Sequence, residues 1–308
     1  MKKKPPGNVG IYKAEDEDKH ESESARHKLW SSGDGRTFFP ISDPYKELPP
    51  DVYDPRVTDG GQPFFYRINF STEELVQFED SKIDQVVKEI SDFWTLRPKF
   101  DEFGFPYKRG ILLWGPPGGG KSSAIKLIIE QVIKMGGVGV RFESPPVFIR
   151  CMRALRMIQK ETPIVTVMED LDAIMEHFPE SQILNLLDGI EGFENMVYLA
   201  TTNYPEDLDS RIRNRPSRFD RRFHIDFPND NARQRYIEFL QSKVENYKLS
   251  NIQHWIDDTK NFTFSHIKEL FISVVLYQRD YKEALAELIE MKRKISSEED
   301  ETHGIGFQ

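Results

Sequence analysis

Short apolar runs and helical segments with one apolar face alternate along most of the chain. Runs without regular polar alternation are typical of strands buried on both faces of a parallel sheet. They occur at residues 111–114, 138–142, 164–168, 197–203 and 223–227. The connecting segments have apolar residues at the three- and four-residue spacing of a helix, at 123–130, at 148–159 and from about residue 181. The alternation predicts an α/β fold, in which helices cover both faces of a parallel sheet.

The N-terminal part of the chain has a different pattern. Over residues 1–70, charged stretches are followed by prolines mixed with aromatic residues, and a strand is predicted at 64–70. We expect these residues to form a partly disordered extension. An amphipathic helix at 81–96, with one apolar face, then begins a large α/β domain predicted over residues 71–228.

After Asn229 the strand pattern stops and only helical spacing remains. Helices are predicted at 233–244, 252–257, 265–277 and 281–294. These helices predict a small helical domain over residues 229–295. The remaining residues, 296–308, are rich in acidic side chains, and we expect them to form a disordered tail.

A glycine-rich loop stands between the first apolar run and the helix that follows it. Its residues fit the pattern G-x-x-x-x-G-K-S. Glycines allow successive backbone N–H groups to surround a phosphate, and the N-terminus of the next helix adds partial positive charge. The lysine can contact the β- and γ-phosphates of a nucleotide, and the serine hydroxyl can bind Mg²⁺. We therefore assign phosphate binding to Gly115, Pro116, Pro117, Gly118, Gly119, Gly120, Lys121, Ser122 and Ser123.

Polar residues end two other predicted strands. Glu169 and Asp170 follow the third apolar run, and Asn203 ends the fourth. Ligands of open parallel sheets bind at the carboxyl ends of the strands, so these residues and the loop should form one site. We assign Glu169 and Ser122 to the Mg²⁺ shell and Asp170 to the orientation of the attacking water. Asn203 would hold the γ-phosphate or the same water.

A stretch rich in arginine follows Asn203. Its members are Arg211, Arg213, Arg215, Arg218, Arg221 and Arg222. These residues could form an exposed basic face or a patch that binds nucleic acid. They could also be offered to the ATP of a neighbouring subunit, because a guanidinium matches the developing charge of a transferring phosphoryl group.

Composition narrows the class of protein. The 308 residues predict about two domains, and a hydrophobic content of 38% is enough for a core. The net charge of −9 argues against non-specific binding to nucleic acid. Cys151 is the single cysteine, so an intrachain disulfide is excluded. With no apolar run long enough to span a bilayer and no secretory signal, we expect a cytoplasmic protein without a membrane anchor.

From about residue 100 to 228 the chain resembles an AAA+ ATPase module of the AAA clade, followed by an AAA+ helical lid. The sequence Arg218-Phe219-Asp220-Arg221 resembles the second region of homology of that clade. The resemblance implies a Walker A motif at 115–122, a Walker B motif at 165–170 and sensor 1 at Asn203. It implies arginine fingers at Arg215 and Arg218.

Within the clade, the chain most resembles the subgroup that contains the mitochondrial translocase of the Rieske iron–sulfur protein. The resemblance lies in residues 104–110, in the order Glu169-Asp170, and in residues 184–189. The sequence differs from the usual pattern at 144–148, Ser-Pro-Pro-Val-Phe, where an aromatic-hydrophobic-glycine pore loop is expected.

The resemblance implies a Mg²⁺-dependent ATPase that assembles into a ring or partial ring, with a hexamer expected. It also implies that the assembly remodels a protein or a protein–nucleic-acid complex. Two other functions remain open at this point. The first is a nucleotide-binding scaffold with little turnover, because Asp170 is one carbon shorter than the glutamate usual at that position. The second is a motor that acts on nucleic acid, which rests on the arginines alone.

Overall fold

The computed structural model of the chain describes residues 29–31, 39–41, 45–69, 82–189, 191–206, 208, 212, 218–244, 249 and 251–303. The chain divides into two compact units, residues 1–48 and 49–308. In the first unit, strands β1 (Leu29–Ser31) and β2 (Phe39–Ile41) form an antiparallel pair. The second unit contains all the predicted site residues.

A seven-stranded sheet forms the centre of this unit, in the order β4-β3-β6-β7-β8-β5-β9. Its neighbouring strands are parallel except for the β3–β4 pair. Every residue of β7 and β8 is buried, as expected for strands covered on both faces. The predicted α/β fold is thus confirmed. The strands are β3 (Val52–Val57), β4 (Pro63–Arg67), β5 (Lys108–Trp114), β6 (Val138–Arg141), β7 (Ile164–Met168), β8 (Met196–Thr202) and β9 (Arg221–His224).

Strands β3 and β4 extend the sheet at the β6 edge. Val52 lies opposite Gly139, and both Val52 and Tyr53 are buried. Asp54 is buried in the same strand, where its carboxylate accepts a hydrogen bond from Arg141 at 2.7 Å. These residues therefore belong to the main sheet, whereas the sequence prediction assigned them to an N-terminal extension that ends at residue 70. The strand expected at 64–70 is present as β4, which ends earlier, at Arg67.

Six helices precede the helical part of the chain, within the described residues. They are α1 (Lys82–Thr95), α2 (Arg97–Phe103), α3 (Lys121–Lys134), α4 (Pro145–Ile158), α5 (Leu171–His177) and α6 (Glu180–Leu187). Helix α4 begins at Pro145, within the segment predicted as a turn, because proline fits the first helical turn, where an N–H has no intrahelical partner. Phe148, in the expected pore-loop position, is fully buried in this helix.

The helical part has a core of its own. Residues from all its helices contribute to it, among them Ile237, Trp255, Ile267 and Leu288. Its elements are α7 (Asp230–Ser242), α8 (Ile252–Asp258), α9 (Phe264–Phe271), a π-helix (Ile272–Leu276) and α10 (Tyr281–His303). Helix α10 continues past residue 296, where the sequence predicted the start of a disordered tail. In the part of the chain that the structure describes, every helix is too short or too polar to cross a bilayer.

Candidate functional site

The glycine-rich loop connects the carboxyl end of β5 to the start of α3. Gly118 has a φ of +73°, a conformation that favours glycine. A Cβ at this position would lie 2.7 Å from the Ser265 hydroxyl oxygen and 2.8 Å from that of Thr263. Helix α3 begins after Gly120 without a side-chain cap, so its first backbone N–H groups remain available to an anion.

Lys121 lies inside this loop and is buried, with 8% of its surface exposed. Its Nζ donates hydrogen bonds to the carbonyl oxygens of Gly115 at 2.6 Å and Pro116 at 3.0 Å. A third hydrogen bond, of 2.6 Å, goes to the amide oxygen of Asn203. Burial lowers the pKa of the Lys121 amine, and the negative charges of Asp170 and Asp172 oppose this effect. The loop lysine and the amide at the end of β8 are therefore in direct contact.

The two predicted carboxylates lie next to the same cluster. The Ser122 hydroxyl donates to Glu169 Oε1 at 3.4 Å, and Asn203 Nδ2 donates to Asp170 Oδ1 at 3.5 Å. Asp170 precedes α5 with a φ of +50°, and its backbone N–H donates to the Thr201 hydroxyl at 3.2 Å. The left-handed backbone at Asp170 directs the chain from the strand into α5.

Ser122 and Glu169 fit a Mg²⁺ ion by the chemistry of their ligand atoms. Both present oxygen, which Mg²⁺ prefers, and both are exposed to the cleft at the sheet edge. Their oxygen atoms are 3.4 Å apart, close enough to bind one ion. These two residues would hold the metal, which supplies positive charge to the phosphate oxygens when bound.

A cleft of about 420 Å³ covers this cluster, and the helical part forms one of its walls. Tyr236 from α7 and Phe264, Ser265 and Lys268 from α9 line that wall. The backbone N–H of Phe264 donates to the Gly118 carbonyl at 3.2 Å, so the helical part is in contact with the loop. The sequence analysis did not include these lining residues in the site. One weak sequence signal pointed to them: Thr263, a residue type that favours helix N-caps, marks the start of the helix α9 that carries three of them.

The described residues of the arginine stretch, Arg218, Arg221 and Arg222, lie beside the first half of β5, away from the loop. Arg221 lies opposite Ile111 in the pairing of β9 with β5. The backbone of Arg218 packs directly on Gly110, where a Cβ would lie 2.0 Å from the Arg218 carbonyl oxygen. Arg218 is 5% exposed and forms an ion pair with Asp188. This differs from the exposed side chain that an arginine finger requires. Arg215 lies outside the described residues.

Comparison with known proteins identifies the class of this site. Residues 111–227, which contain the loop, both carboxylates and Asn203, match the sequence model of the AAA family, the ATPase family associated with various cellular activities. This part of the chain is therefore similar to AAA ATPase domains. Domains of this family hydrolyse ATP with Mg²⁺, which confirms the predicted ATPase class and ligands. The match supports the AAA family and does not distinguish its subgroups. Membership of the subgroup that contains the Rieske-protein translocase therefore stays a prediction.

Three curated proteins are similar to this chain over 59–66% of its length. The ATP-dependent zinc metalloprotease FtsH of Marinobacter nauticus is 32% identical over 218 residues, 61% of this chain and 34% of the relative. Protein SAV of Sulfolobus acidocaldarius is 28% identical over 200 residues, 59% of this chain and 24% of the relative. The ATP-dependent zinc metalloprotease FtsH 2 of Bdellovibrio bacteriovorus is 28% identical over 222 residues, 66% of this chain and 36% of the relative. The chain thus spans about a third or less of the length of these relatives.

Proposed function

We propose that this AAA ATPase domain works in an oligomer, in which ATP hydrolysis drives the remodelling of a protein or protein–nucleic-acid assembly. The observation that carries the proposal is the contact of Lys121 with Asn203, beside Ser122, Glu169 and Asp170, in one cleft. These groups come from three strand ends and provide the cation, the metal ligands and the polar groups that phosphoryl transfer needs.

The roles of the residues follow from their positions. Lys121 binds the phosphates, and Glu169 with Ser122 forms part of the metal shell. Asp170 holds the attacking water and accepts its proton, and Asn203 orients Asp170 through the hydrogen bond between their side chains. The helical part closes over the loop through Phe264, so it acts as the lid that excludes water from the cleft.

A second subunit would complete the site. The carbonyl of Arg218 lies beside Gly110, and Arg221 lies opposite Ile111 in β5. Gly110 and Gly115 are five positions apart, which is roughly 16 Å of strand. An arginine near Gly110 would therefore serve the ATP of a neighbour and not that of its own chain. We assign this role to Arg215, on the resemblance of this part of the chain to the AAA clade.

Phe148 bears on how the oligomer engages its substrate. Its side chain is fully buried in α4, and the two prolines before it lie at the helix start. This position therefore lacks the exposed aromatic side chain that could pull an extended polypeptide through a ring. We infer that the substrate binds to surfaces other than the one at the start of α4.

The test of the proposed function is the purified chain itself. We expect ATP hydrolysis that requires Mg²⁺ and whose specific activity rises with protein concentration, because the shared site forms only on assembly. Light scattering with ATP and Mg²⁺ should report a mass above that of the monomer. Specific activity independent of concentration, with a monomeric mass, would contradict the proposal.

A scaffold that binds ATP without turnover is the second candidate, and the short side chain of Asp170 is the observation that favours it. A displacement of a catalytic group by about 1 Å can cost about 10²-fold in rate. Single-turnover measurement with excess protein separates the two functions. A scaffold would retain bound ATP, whereas the proposed enzyme converts it to ADP. Capture of proteins from the source cell on a hydrolysis-deficient variant would then identify the substrate.

A further inference from the structure

Arg218 and Asp188 form a two-pronged ion pair inside the chain. Arg218 Nε donates to Asp188 Oδ1 at 3.0 Å, and Nη2 donates to Oδ2, also at 3.0 Å. The planar guanidinium matches both carboxylate oxygens in this geometry, which is stronger and more directional than a single charged contact. The Arg218 side chain is 5% exposed and that of Asp188 is 21% exposed.

The pair lies where three segments of the chain meet. Lys108, at the start of β5, donates from Nζ to the carbonyl oxygen of Leu187, the last residue of α6. The backbone N–H of Gly110 donates to Asp220 Oδ2 at 2.7 Å. Burial lowers the pKa of the Lys108 amine, and the nearby carboxylates of Asp220 and Asp188 oppose this effect. Two cations and two carboxylates therefore hold the end of α6, the start of β5 and the approach to β9 together.

We propose that Arg218 is a positioning residue, which Asp188 holds in place, and that it fixes the edge of the domain that faces a neighbouring subunit. It is not the group that reaches the neighbour's ATP. The inference rests on the proposed shared site, because the edge matters to turnover only if a neighbour uses it. To reach outward, Arg218 would have to break both hydrogen bonds and leave the Asp188 carboxylate without them, which is costly in a partly buried position.

The pair also connects this edge to the carboxylates of the ATP site. Asp188 follows α6 directly, and only the short helix α5 separates α6 from Glu169 and Asp170. Any movement of these helices on nucleotide binding would therefore be passed to Arg218 through Asp188. On this proposal the pair acts in turnover as well as in stability.

The experiment compares Arg215→Ala, Arg218→Ala, Arg218→Lys and Asp188→Asn, with Arg153→Ala as the control for loss of a paired arginine. Arg153, in α4, is 64% exposed and paired with Glu191, so its loss should change little. Each variant is measured for the kcat and KM of ATP hydrolysis and for the midpoint of thermal unfolding. Arg215→Ala should lower kcat by about 10³-fold or more without a change in the unfolding midpoint.

Arg218→Ala and Asp188→Asn should behave alike and differ from Arg215→Ala. Both should lower the unfolding midpoint and reduce kcat by about 10-fold, with the KM for ATP unchanged. The double variant Arg218→Ala/Asp188→Asn should be no worse than either single variant, because the two residues act as one unit. Arg218→Lys keeps the charge but loses the two-pronged geometry, so it should lie between Arg218→Ala and the wild type.

The opposite pattern overturns the inference. If Arg218→Ala loses kcat as fully as Arg215→Ala with an unchanged unfolding midpoint, and Asp188→Asn hydrolyses ATP at the wild-type rate, Arg218 is a finger. If the wild-type chain itself does not hydrolyse ATP, the proposed function fails. In that case the unfolding midpoints still test whether Arg218 and Asp188 act as one unit. If the decrease in the double variant equals the sum of the two single decreases, they do not; if it is smaller than the sum, they do.

Discussion

The side-chain amine of Lys121 lies 2.6 Å from the amide oxygen of Asn203, and the amide nitrogen of Asn203 lies 3.5 Å from Asp170. One amide therefore contacts both the cation of the phosphate loop and the carboxylate assigned to the attacking water. A phosphate that binds to Lys121 has to compete with the three oxygen acceptors that this amine contacts. Phosphate binding is thus linked to the position of Asn203, and through it to Asp170.

We predict that Lys121→Ala abolishes ATP hydrolysis and weakens ATP binding by about 10- to 100-fold, since a hydrogen bond to a charged group contributes about 1.5–3 kcal/mol. The measurements are turnover and the affinity for a fluorescent ATP analogue. Lys126→Ala, one turn further along α3, is the control for loss of a lysine from the same cleft. Unchanged affinity and turnover in a folded Lys121→Ala protein would refute the site.

Exchange of the carboxylates separates their roles. Asp170→Asn should bind ATP and Mg²⁺ with roughly wild-type affinity but turn over about 10²–10⁴-fold more slowly, because the amide cannot accept the proton of the water. Glu169→Gln should instead raise the Mg²⁺ concentration needed for half-maximal activity, since it removes a charged metal ligand. If Glu169→Gln traps ATP while Asp170→Asn hydrolyses it normally, the two roles are reversed.

The contact between lid and loop gives a third prediction, on Gly118→Ala. A left-handed backbone costs an alanine about 1 kcal/mol, and the added Cβ would also lie within 2.8 Å of two lid hydroxyls. We expect a loss of ATP affinity and turnover in addition to a lower unfolding midpoint.

Gly104→Ala is the matched control for this prediction. Gly104 has a φ of +67°, similar to that of Gly118, but its Cβ would meet nothing within 4 Å. Gly104→Ala should therefore lower the unfolding midpoint by the backbone cost alone, less than Gly118→Ala, and leave ATP hydrolysis unchanged. Equal losses of activity in the two variants would mean that the lid contact has no part in nucleotide binding.

A mixing experiment tests the shared site. Lys121→Ala subunits keep Arg215, and Arg215→Ala subunits keep the phosphate loop, so each variant should be inactive alone. Mixed under conditions of subunit exchange, they should recover part of the activity, because some interfaces then combine an intact loop with an intact arginine. Mixing Lys121→Ala with Asp170→Asn should recover none, since both changes lie on the same side of the interface. Equal behaviour of the two mixtures would contradict a site formed between subunits.

The sequence predicted those parts of the structure that depend on local pattern. The loop, its flanking strand and helix, and the residues at the ends of β7 and β8 follow from apolar runs and from the chemistry of a few side chains. Strand β3 does not, because Asp54 interrupts its apolar character. The buried carboxylate of Asp54 is paired with Arg141, 87 residues away, as well as with the nearby Arg56.

Contacts between distant segments were likewise absent from the prediction. Phe264 lines the cleft because the helical part packs on the loop, and no local pattern reports the orientation of one part relative to the other. Arg218 was expected to be exposed, as arginines usually are. Its burial depends on Asp188, which lies 30 residues earlier in the chain.

The placement of Gly115 and Arg218 at opposite ends of β5 has a consequence for assembly. Because the loop and Arg218 lie at different ends of this strand, the proposed shared site would join two unlike surfaces of neighbouring chains. Such head-to-tail contacts close into a ring or continue as an open filament. An open row of n subunits completes n − 1 sites and a closed ring completes n. Activity per subunit should therefore rise with the length of the row and reach its maximum when the ring closes.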